Sequence, residues 1–311
     1  MNPMKTALVT GGAGFLGSHI ADELSNRGYR VSILDRDASP WLREDQRMII
    51  GDILDKEDVE RAIEGVDYVF HLAGFSDLNA ARTQPKATAR LNIEGTINLL
   101  EASHRAEVDR FIFASTVYVY SRDGGFYRCS KQACEAYIEE FGQSFGLKYT
   151  VLRYGSLYGP RSDERNGVYR LLLQAVQGSP MHHQGTPDDT REYIHVEDAA
   201  RLSVDALEDR FADEHLVLTG QHPMRIRDLF KMFSEIIGRD VAVSYDQGPG
   251  RVPDGHYSVT PYSFQPRVGR KLTTNLSVDM GQGILQILEQ IHREASTANL
   301  DENREMVRTE L

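Results

Sequence analysis

The glycines Gly11, Gly14 and Gly17 constrain this chain more than any other feature, because of what flanks them. Thr6–Thr10 reads as a short buried strand, and from Leu16 to Arg27 apolar residues recur at helical spacing. A strand that passes into a helix through glycines leaves main-chain N–H groups bare at a helix N-terminus, where a pyrophosphate is electrostatically favoured. Phe15 and Leu16 belong to the same turn. The next strand, Arg30–Asp35, ends on a carboxylate about 20 residues beyond the glycines, where such a group accepts hydrogen bonds from a ribose 2′-hydroxyl. Asp35 also repels an added 2′-phosphate, so NAD is expected over NADP, although the adjacent Arg36 keeps NADP open.

The alternation continues through half the chain. Further strand-like runs fall at Arg47–Ile50, Tyr68–Ala73, Arg110–Ser115 and Lys148–Arg153, and helical patterns at Lys56–Ile63, Ala87–Arg105 and Cys129–Phe145. Strands alternating with helices predict an α/β, Rossmann-type doubly wound parallel sheet, with ligands outside the carboxyl ends of its strands. Beyond Leu157-Tyr158-Gly159-Pro160 the pattern loosens into a helix near Val168–Gln177, a strand near Tyr193–Val196 and a helix near Ala199–Leu207. The expected organisation is an NAD-binding domain over 1–155, a mainly substrate-binding lobe over 156–293 whose chain crosses back near 192–210, and a polar, flexible tail over 294–311.

Composition excludes some functions. A formal net charge of −11 argues against a sequence-independent nucleic-acid surface or an anionic membrane surface, both of which need clustered Lys and Arg. An anionic ligand would require a local basic pocket. With no membrane-length apolar run and no leader pattern, the expected location is cytoplasmic. Cys129 and Cys134, the only cysteines, lie at a spacing that suits neither a disulfide nor a metal site, and the pair His182-His183 reads as solvated loop.

The chemistry is carried by Tyr127-Arg128-Cys129-Ser130-Lys131. A phenol and an amine at i and i+4 project from one helix face, so the ammonium can lower the phenol's pKa and hold a cofactor ribose. Ser115-Thr116, at the end of the fifth strand, adds a third polar group. A glycine turn with a Tyr–Lys pair and a strand-end hydroxyl reads as a nicotinamide-dependent enzyme that moves a proton and a hydride on an alcohol.

These motifs, in this order from about Lys5 to Ile291, resemble the extended short-chain dehydrogenase/reductase family, specifically its nucleotide-sugar epimerase and dehydratase branch. The resemblance implies that Asp52-Ile53 contacts adenine, that Leu72-Ala73-Gly74 after His71 runs beneath the cofactor, and that Asn92, Ser115 and Tyr154 also belong to the cofactor site. It implies Tyr127 as base and acid, Lys131 as its electrostatic partner and Thr116 as the group orienting the reacting hydroxyl. Dehydratases of this branch carry an Asp-Glu pair directly after the catalytic Thr, and related decarboxylases a Glu there. This chain has Val117-Tyr118, which favours interconversion of C4 epimers of a UDP-sugar through a transient 4-keto intermediate. A nucleotide-sugar 4-dehydrogenase or 4-ketoreductase is the alternative, and a non-catalytic NAD(H)-binding regulatory protein is the alternative of another class.

By the same resemblance Arg191, in Arg191-Glu192-Tyr193-Ile194-His195-Val196-Glu197-Asp198, and Arg251 would clamp the substrate diphosphate, a task suited to a guanidinium fork. Ser156 stands where the family usually has Asn. The stretch Ser121–Phe126 is shorter than the family's loop over the substrate, so a more open sugar pocket is expected. Family members commonly dimerise through the helix bearing the Tyr–Lys pair, and Ala133, Ala136, Tyr137, Ile138 and Phe141 are compatible with a homodimer.

Overall fold

The structure, a computed structural model, describes residues 4–245 and 259–261. Its centre is a seven-stranded sheet, parallel throughout, built from β1 (Thr6–Thr10), β2 (Arg30–Asp35), β3 (Gln46–Ile50), β4 (Tyr68–His71), β5 (Arg110–Thr116), β6 (Tyr149–Tyr154) and a last strand, Glu214–Leu218. The order is β3-β2-β1-β4-β5-β6 and then that last strand, so the chain reverses direction at β1 and β4. Loops leave to opposite sides at such a point and open a crevice at the strand carboxyl ends.

Strands buried on both faces read as continuous apolar runs, and Leu8, Val9, Phe70, Phe111 and Phe113 are fully buried. Each such side chain contributes about 1.5–3 kcal/mol relative to exposure. One face carries α2 (Lys56–Ile63), α5 (Gly95–Arg105) and α6 (Gly125–Phe145), whose Val59, Leu99 and Ile138 pack on Leu8, Val69 and Phe111. The other face carries α1 (Phe15–Asn26), whose Ile20 and Leu24 pack on Val9 and Phe70. Local chemistry marks the helix ends: Asp55 accepts from the N–H groups of Glu57 and Asp58 to cap α2, and Gly124 (φ +85°) and Gly146 (φ +72°) bracket α6.

Two boundaries differ from the sequence reading. The single helix expected over Ala87–Arg105 is α4 (Pro85–Ala89), one π-turn (Arg90–Glu94) and α5, preceded by the unforeseen short α3 (Leu78–Thr83). Helix α6 begins at Gly125, four residues before the expected Cys129, because the left-handed Gly124 can cap the helix there.

Beyond β6 the chain forms β7 (Ser156–Tyr158), α7 (Gly167–Val176), β8 (Met181–His183) and β9 (Thr190–His195). It then returns to the main sheet through α8 (Val196–Asp205), which packs on α1, and β10, the Glu214–Leu218 strand, which pairs with β6. The small β11 (Pro223–Arg225) pairs antiparallel to β9, and β7 pairs parallel to it. Below them α9 (Ile226–Ile237) buries Leu229, Phe230 and Phe233 against Leu171 and Met181, and β12 (Val243–Tyr245) pairs with β8. No described helix is long and apolar enough to cross a membrane. The expected lobe limit at 293, the tail 294–311 and Arg251 lie outside the described residues.

Candidate active site

The three glycines serve different needs. Gly11 has φ +73°, and a Cβ there would come within 2.6 Å of the Ala73 nitrogen. A Cβ on Gly17 would lie 2.2 Å from the Gly11 carbonyl oxygen. Both are therefore demanded by the turn itself. Gly14 is exposed, and a Cβ there would meet only the Gly11 oxygen, at 3.2 Å. It is the N-cap of α1, which has no side-chain cap and no acidic residue in its first turn. The helix thus presents its N–H groups outward, unneutralised by any side chain of its own.

Asp35 locks onto this turn. Its Oδ2 accepts from the Ala13 N–H at 3.0 Å and its Oδ1 from the Arg36 N–H at 2.8 Å, while Arg36 itself is exposed. Asp52 accepts from the Leu54 N–H at 3.0 Å, and Ile53 is buried against Gly95.

Beneath the crevice, β1, β4 and α5 meet at the buried His71. Its Nε2 lies 2.9 Å from Thr96 Oγ1, which donates to the Asn92 carbonyl, and its Nδ1 lies 2.8 Å from Thr10 Oγ1. Since the Thr96 hydrogen is committed, Nε2 carries the ring proton and Nδ1 accepts from Thr10. Thr10 Oγ1 in turn accepts from the Ala73 N–H at 3.3 Å. Burial holds the His71 imidazole well below its ordinary pKa, with Lys131 a secondary cause. Leu72 and Gly74 flank Ala73, half-buried like it.

Asn92 sits in the π-turn, a local widening that recurs at functional positions. Its Oδ1 accepts from the Phe75 N–H at 2.6 Å, and its Nδ2 donates to the Phe75 carbonyl at 3.2 Å and to Ser130 Oγ at 2.8 Å. Ser130 donates to the Tyr127 carbonyl, so Asn92 is tied to the helix turn carrying the Tyr–Lys pair.

Tyr127 and Lys131 do share a face of α6. Lys131 is buried, donates to the Ala114 carbonyl at 2.7 Å, and lies 4.5 Å from the Phe113 ring centre and 5.9 Å from that of Tyr127. Thr116 ends β5; its Oγ1 accepts from the Tyr118 N–H at 3.3 Å and its side chain hydrogen-bonds Tyr127. The Thr116 bond favours the ionised phenol, as a hydroxyl that donates to the phenol oxygen does. The ammonium was expected to pull the phenol's pKa down. Among the protein's own groups burial wins: it pushes the Tyr127 phenol above its ordinary value, offset in part by the Thr116 bond. Burial likewise pushes Lys131 down.

Other expectations need correction. Ser115 donates its hydroxyl to Glu135, whose carboxylate also takes Arg153 Nη2 at 2.7 Å, so Ser115 is engaged in a buried network behind α6. The Tyr154 side chain is turned into the core, its hydroxyl 2.6 Å from Ser203 Oγ of α8. The Ser121–Phe126 stretch packs close to Tyr127 through Tyr118. Gly124 lies directly on the Tyr118 ring, where a Cβ would be 2.9 Å away, and Tyr118 stands edge-on to Tyr127 with centroids 6.5 Å apart. Ser156 lies in β7 opposite Tyr193, and Arg191 lies in β9 opposite Met224. His182 contacts Ser244, but His183 is buried against Asp189 at 3.2 Å, so the pair is not a solvated loop. The sequence reading gave no role to Ser130, Glu135 or Arg153, although Glu135 stands one helical turn beyond Lys131.

Comparison with known proteins agrees with this geometry. Residues 7–218 match the model of the NAD dependent epimerase/dehydratase family. The chain belongs to that family. It is 30% identical to a UDP-N-acetyl-alpha-D-glucosaminuronate decarboxylase of Bacillus cytotoxicus, over 85% of this chain and 94% of the relative. A UDP-glucose 4-epimerase of Thermotoga maritima, solved with UDP-glucose, superimposes with TM-score 0.76 at 32% identity, covering 83% of this chain and 90% of that one. A UDP-glucose 4-epimerase of Thermus thermophilus, solved with NAD, gives TM-score 0.73 at 29% identity, covering 85% and 95%.

Proposed function

We propose that the protein is an NAD-dependent nucleotide-sugar epimerase that interconverts C4 epimers of a UDP-sugar. The observation that carries this reading is the junction of Thr116, Tyr127 and Lys131 beside an apolar wall. Val117 and Tyr118 pack with Leu78 and Tyr120 around Tyr127.

The residues present fit NAD. The uncapped N-terminus of α1 with the exposed Gly14 suits a pyrophosphate, and Asp35 at the turn suits an unphosphorylated ribose. Gly11, Phe15, Leu16, Asp52, Ile53, Leu72, Ala73, Gly74 and Asn92 complete the proposed cofactor site. When bound, NAD supplies a hydride acceptor and then donor at the sugar carbon, and in its oxidised form a positive charge beside the phenol.

Thr116 orients the sugar hydroxyl, and Tyr127 takes its proton on oxidation and returns it on reduction. Lys131 offsets the developing phenolate charge from below the ring. Tyr127 is also in the first turn of α6, where the helix field favours an anion. At the positions following Thr116 there is no carboxylate to remove the proton at C5 or to steer loss of a carboxyl group, which separates this site from dehydratase and decarboxylase chemistry. Arg191 is the proposed diphosphate clamp, with Ser156 on the adjacent strand.

We also propose a homodimer and a cytoplasmic setting. Ile138 is claimed by the subunit's own core, whereas Ala136 and Tyr137 of α6 stay exposed, which supports a second copy on that face. The free thiols of Cys129 and Cys134 suit a reducing compartment.

A panel of UDP-, GDP-, dTDP- and CDP-sugars, incubated with the protein and NAD, tests the function. Conversion between C4 epimers without net NADH is the expected result. Stoichiometric NADH with a keto product would reassign the protein as a dehydrogenase, and turnover of no sugar alongside intact NAD binding would favour a regulatory role.

A further inference from the structure

Arg161 adopts φ +66°, a left-handed conformation that strains any residue carrying a Cβ. Its guanidinium is held on two sides. Nη2 donates to Asp22 Oδ2 of α1 at 2.7 Å, and Cζ lies 4.9 Å from the ring centre of Trp41, the chain's single tryptophan. Nη1 is shut off from solvent without a partner among the described residues. A strained backbone and an orphaned donor are poor value for packing alone, and such expense concentrates where a contact serves function.

The contact joins three segments. Asp22 Oδ1 also accepts from Gln46 Nε2 at 3.1 Å, and Arg43 Nη1 reaches Asn26 Oδ1 at 2.7 Å. The loop over 36–45 therefore has its far end pinned to the second half of α1 and its near end, through Asp35, pinned to the glycine turn. Trp41 stands between these anchors, 42% exposed, with Arg161 pressed on it as a cation. Arg161 comes from the loop leaving β7, and its neighbour Pro160 accepts from His19 Nε2, one turn into α1, at 3.1 Å. That loop is also held by Gly159, where a Cβ would meet Val196 of α8 at 2.8 Å.

We propose that Asp22, Trp41 and Arg161 form a clasp that fastens the loop after Asp35 to the segment leading into the second lobe, and so keeps the dinucleotide bound from one turnover to the next. They are positioning residues: they act through the loop and α1 rather than on the reacting atoms. An epimerase that regenerates its cofactor within each cycle gains from a slow cofactor off-rate, whereas an enzyme exchanging oxidised for reduced cofactor is slowed by one. The clasp thus deepens the epimerase reading and rests on it.

The test is the rate of NADH release, followed by stopped-flow chase with excess NAD+ and read as energy transfer from Trp41 in the wild type and as NADH emission in the variants. Arg161→Ala, Asp22→Asn and Trp41→Ala are each expected to speed release by about tenfold, equivalent to ~1.4 kcal/mol. Trp41→Ala with Arg161→Ala together should exceed either alone by less than twofold, because the two act through one contact. Arg161→Lys, which can keep the ion pair but not the flat stacking, should fall between. With NAD+ saturating, kcat should stay within twofold of wild type, which separates cofactor retention from damage to the site. Trp41→Phe, conservative at an exposed position, guards against misfolding and should release NADH at nearly the wild-type rate. Unchanged release rates in correctly folded variants would overturn the clasp alone. A wild type that binds no NADH would overturn the NAD-dependent reading and the clasp with it.

Discussion

Replacing Lys131 by Met isolates what the buried ammonium does for the phenol of Tyr127, the proposed base and acid. The charge lies 5.9 Å from the Tyr127 ring centre. With the phenolate charge placed at the ring centre and an effective dielectric constant of about 20, the attraction is at most ~3 kcal/mol. That equals about two pKa units on the phenol and sets a ceiling of about a hundredfold on the rate. Stability should respond in the opposite sense. The folded-state pKa of Lys131 is depressed by burial, so the unfolded chain binds its proton more tightly and the penalty is fully present at neutral pH, easing only as pH rises towards the ordinary lysine value. Removing the charge lifts that penalty, against a cost of about 1–3 kcal/mol for the Ala114 carbonyl left without its donor. The expected outcome is a ten- to hundredfold loss in kcat at neutral pH, recovering as pH rises by about two units, with a thermal midpoint no lower than wild type. The assay is kcat and kcat/KM against pH at saturating NAD+, beside thermal melts. A rate deficit that is the same at every pH would refute the electrostatic role.

Three further outcomes follow from the site. Gly17→Ala drives a Cβ to 2.2 Å from the Gly11 oxygen and should cost several kcal/mol in denaturant titrations, whereas Gly14→Ala should change stability by less than about 1 kcal/mol yet weaken NAD+ binding at least tenfold. The opposite ranking would show that the glycine roles are misassigned. Asp35→Asn keeps an acceptor for the Ala13 N–H but loses the charge, so the ratio of NADP+ to NAD+ affinity should rise by at least tenfold; an unchanged ratio would remove Asp35 from cofactor choice. His19, His71 and His183 are all held below their ordinary pKa, chiefly by burial. Their contribution is intact above about pH 6.5 and is lost as pH falls, because the unfolded chain then takes up protons the folded one refuses. Each should tilt stability by about 1.4 kcal/mol per pH unit, and a urea midpoint flat from about pH 7.5 to 5 would contradict their burial as neutral groups.

Much of the site was legible because its motifs are local. The glycine turn and Asp35 are linked by one strand and one helix, and Tyr127 and Lys131 are neighbours by helix geometry alone. The first six strands fall within two residues of their apolar runs for the same reason: a strand buried on both faces has little choice of composition. Where reading failed, the deciding partner lay far along the chain. Ser115 turns to Glu135, and Tyr154 to Ser203 of the returning helix. Neither of these pairs can be inferred from the spelling of either segment.

The sequence by itself determined the strand–turn–helix that invites a dinucleotide, the phenol–amine pair, and the absence of a carboxylate after Thr116. Backbone sterics and helical periodicity act over a few residues, so composition suffices for them. Tertiary structure decided that the returning chain adds β10 to the sheet beside β6, that His71 stays neutral between two threonines, and that Arg161 reaches Asp22, 139 residues away. Those outcomes depend on which surfaces remain to be covered once the sheet has formed, and burial at long range is a property of the assembled fold rather than of any segment.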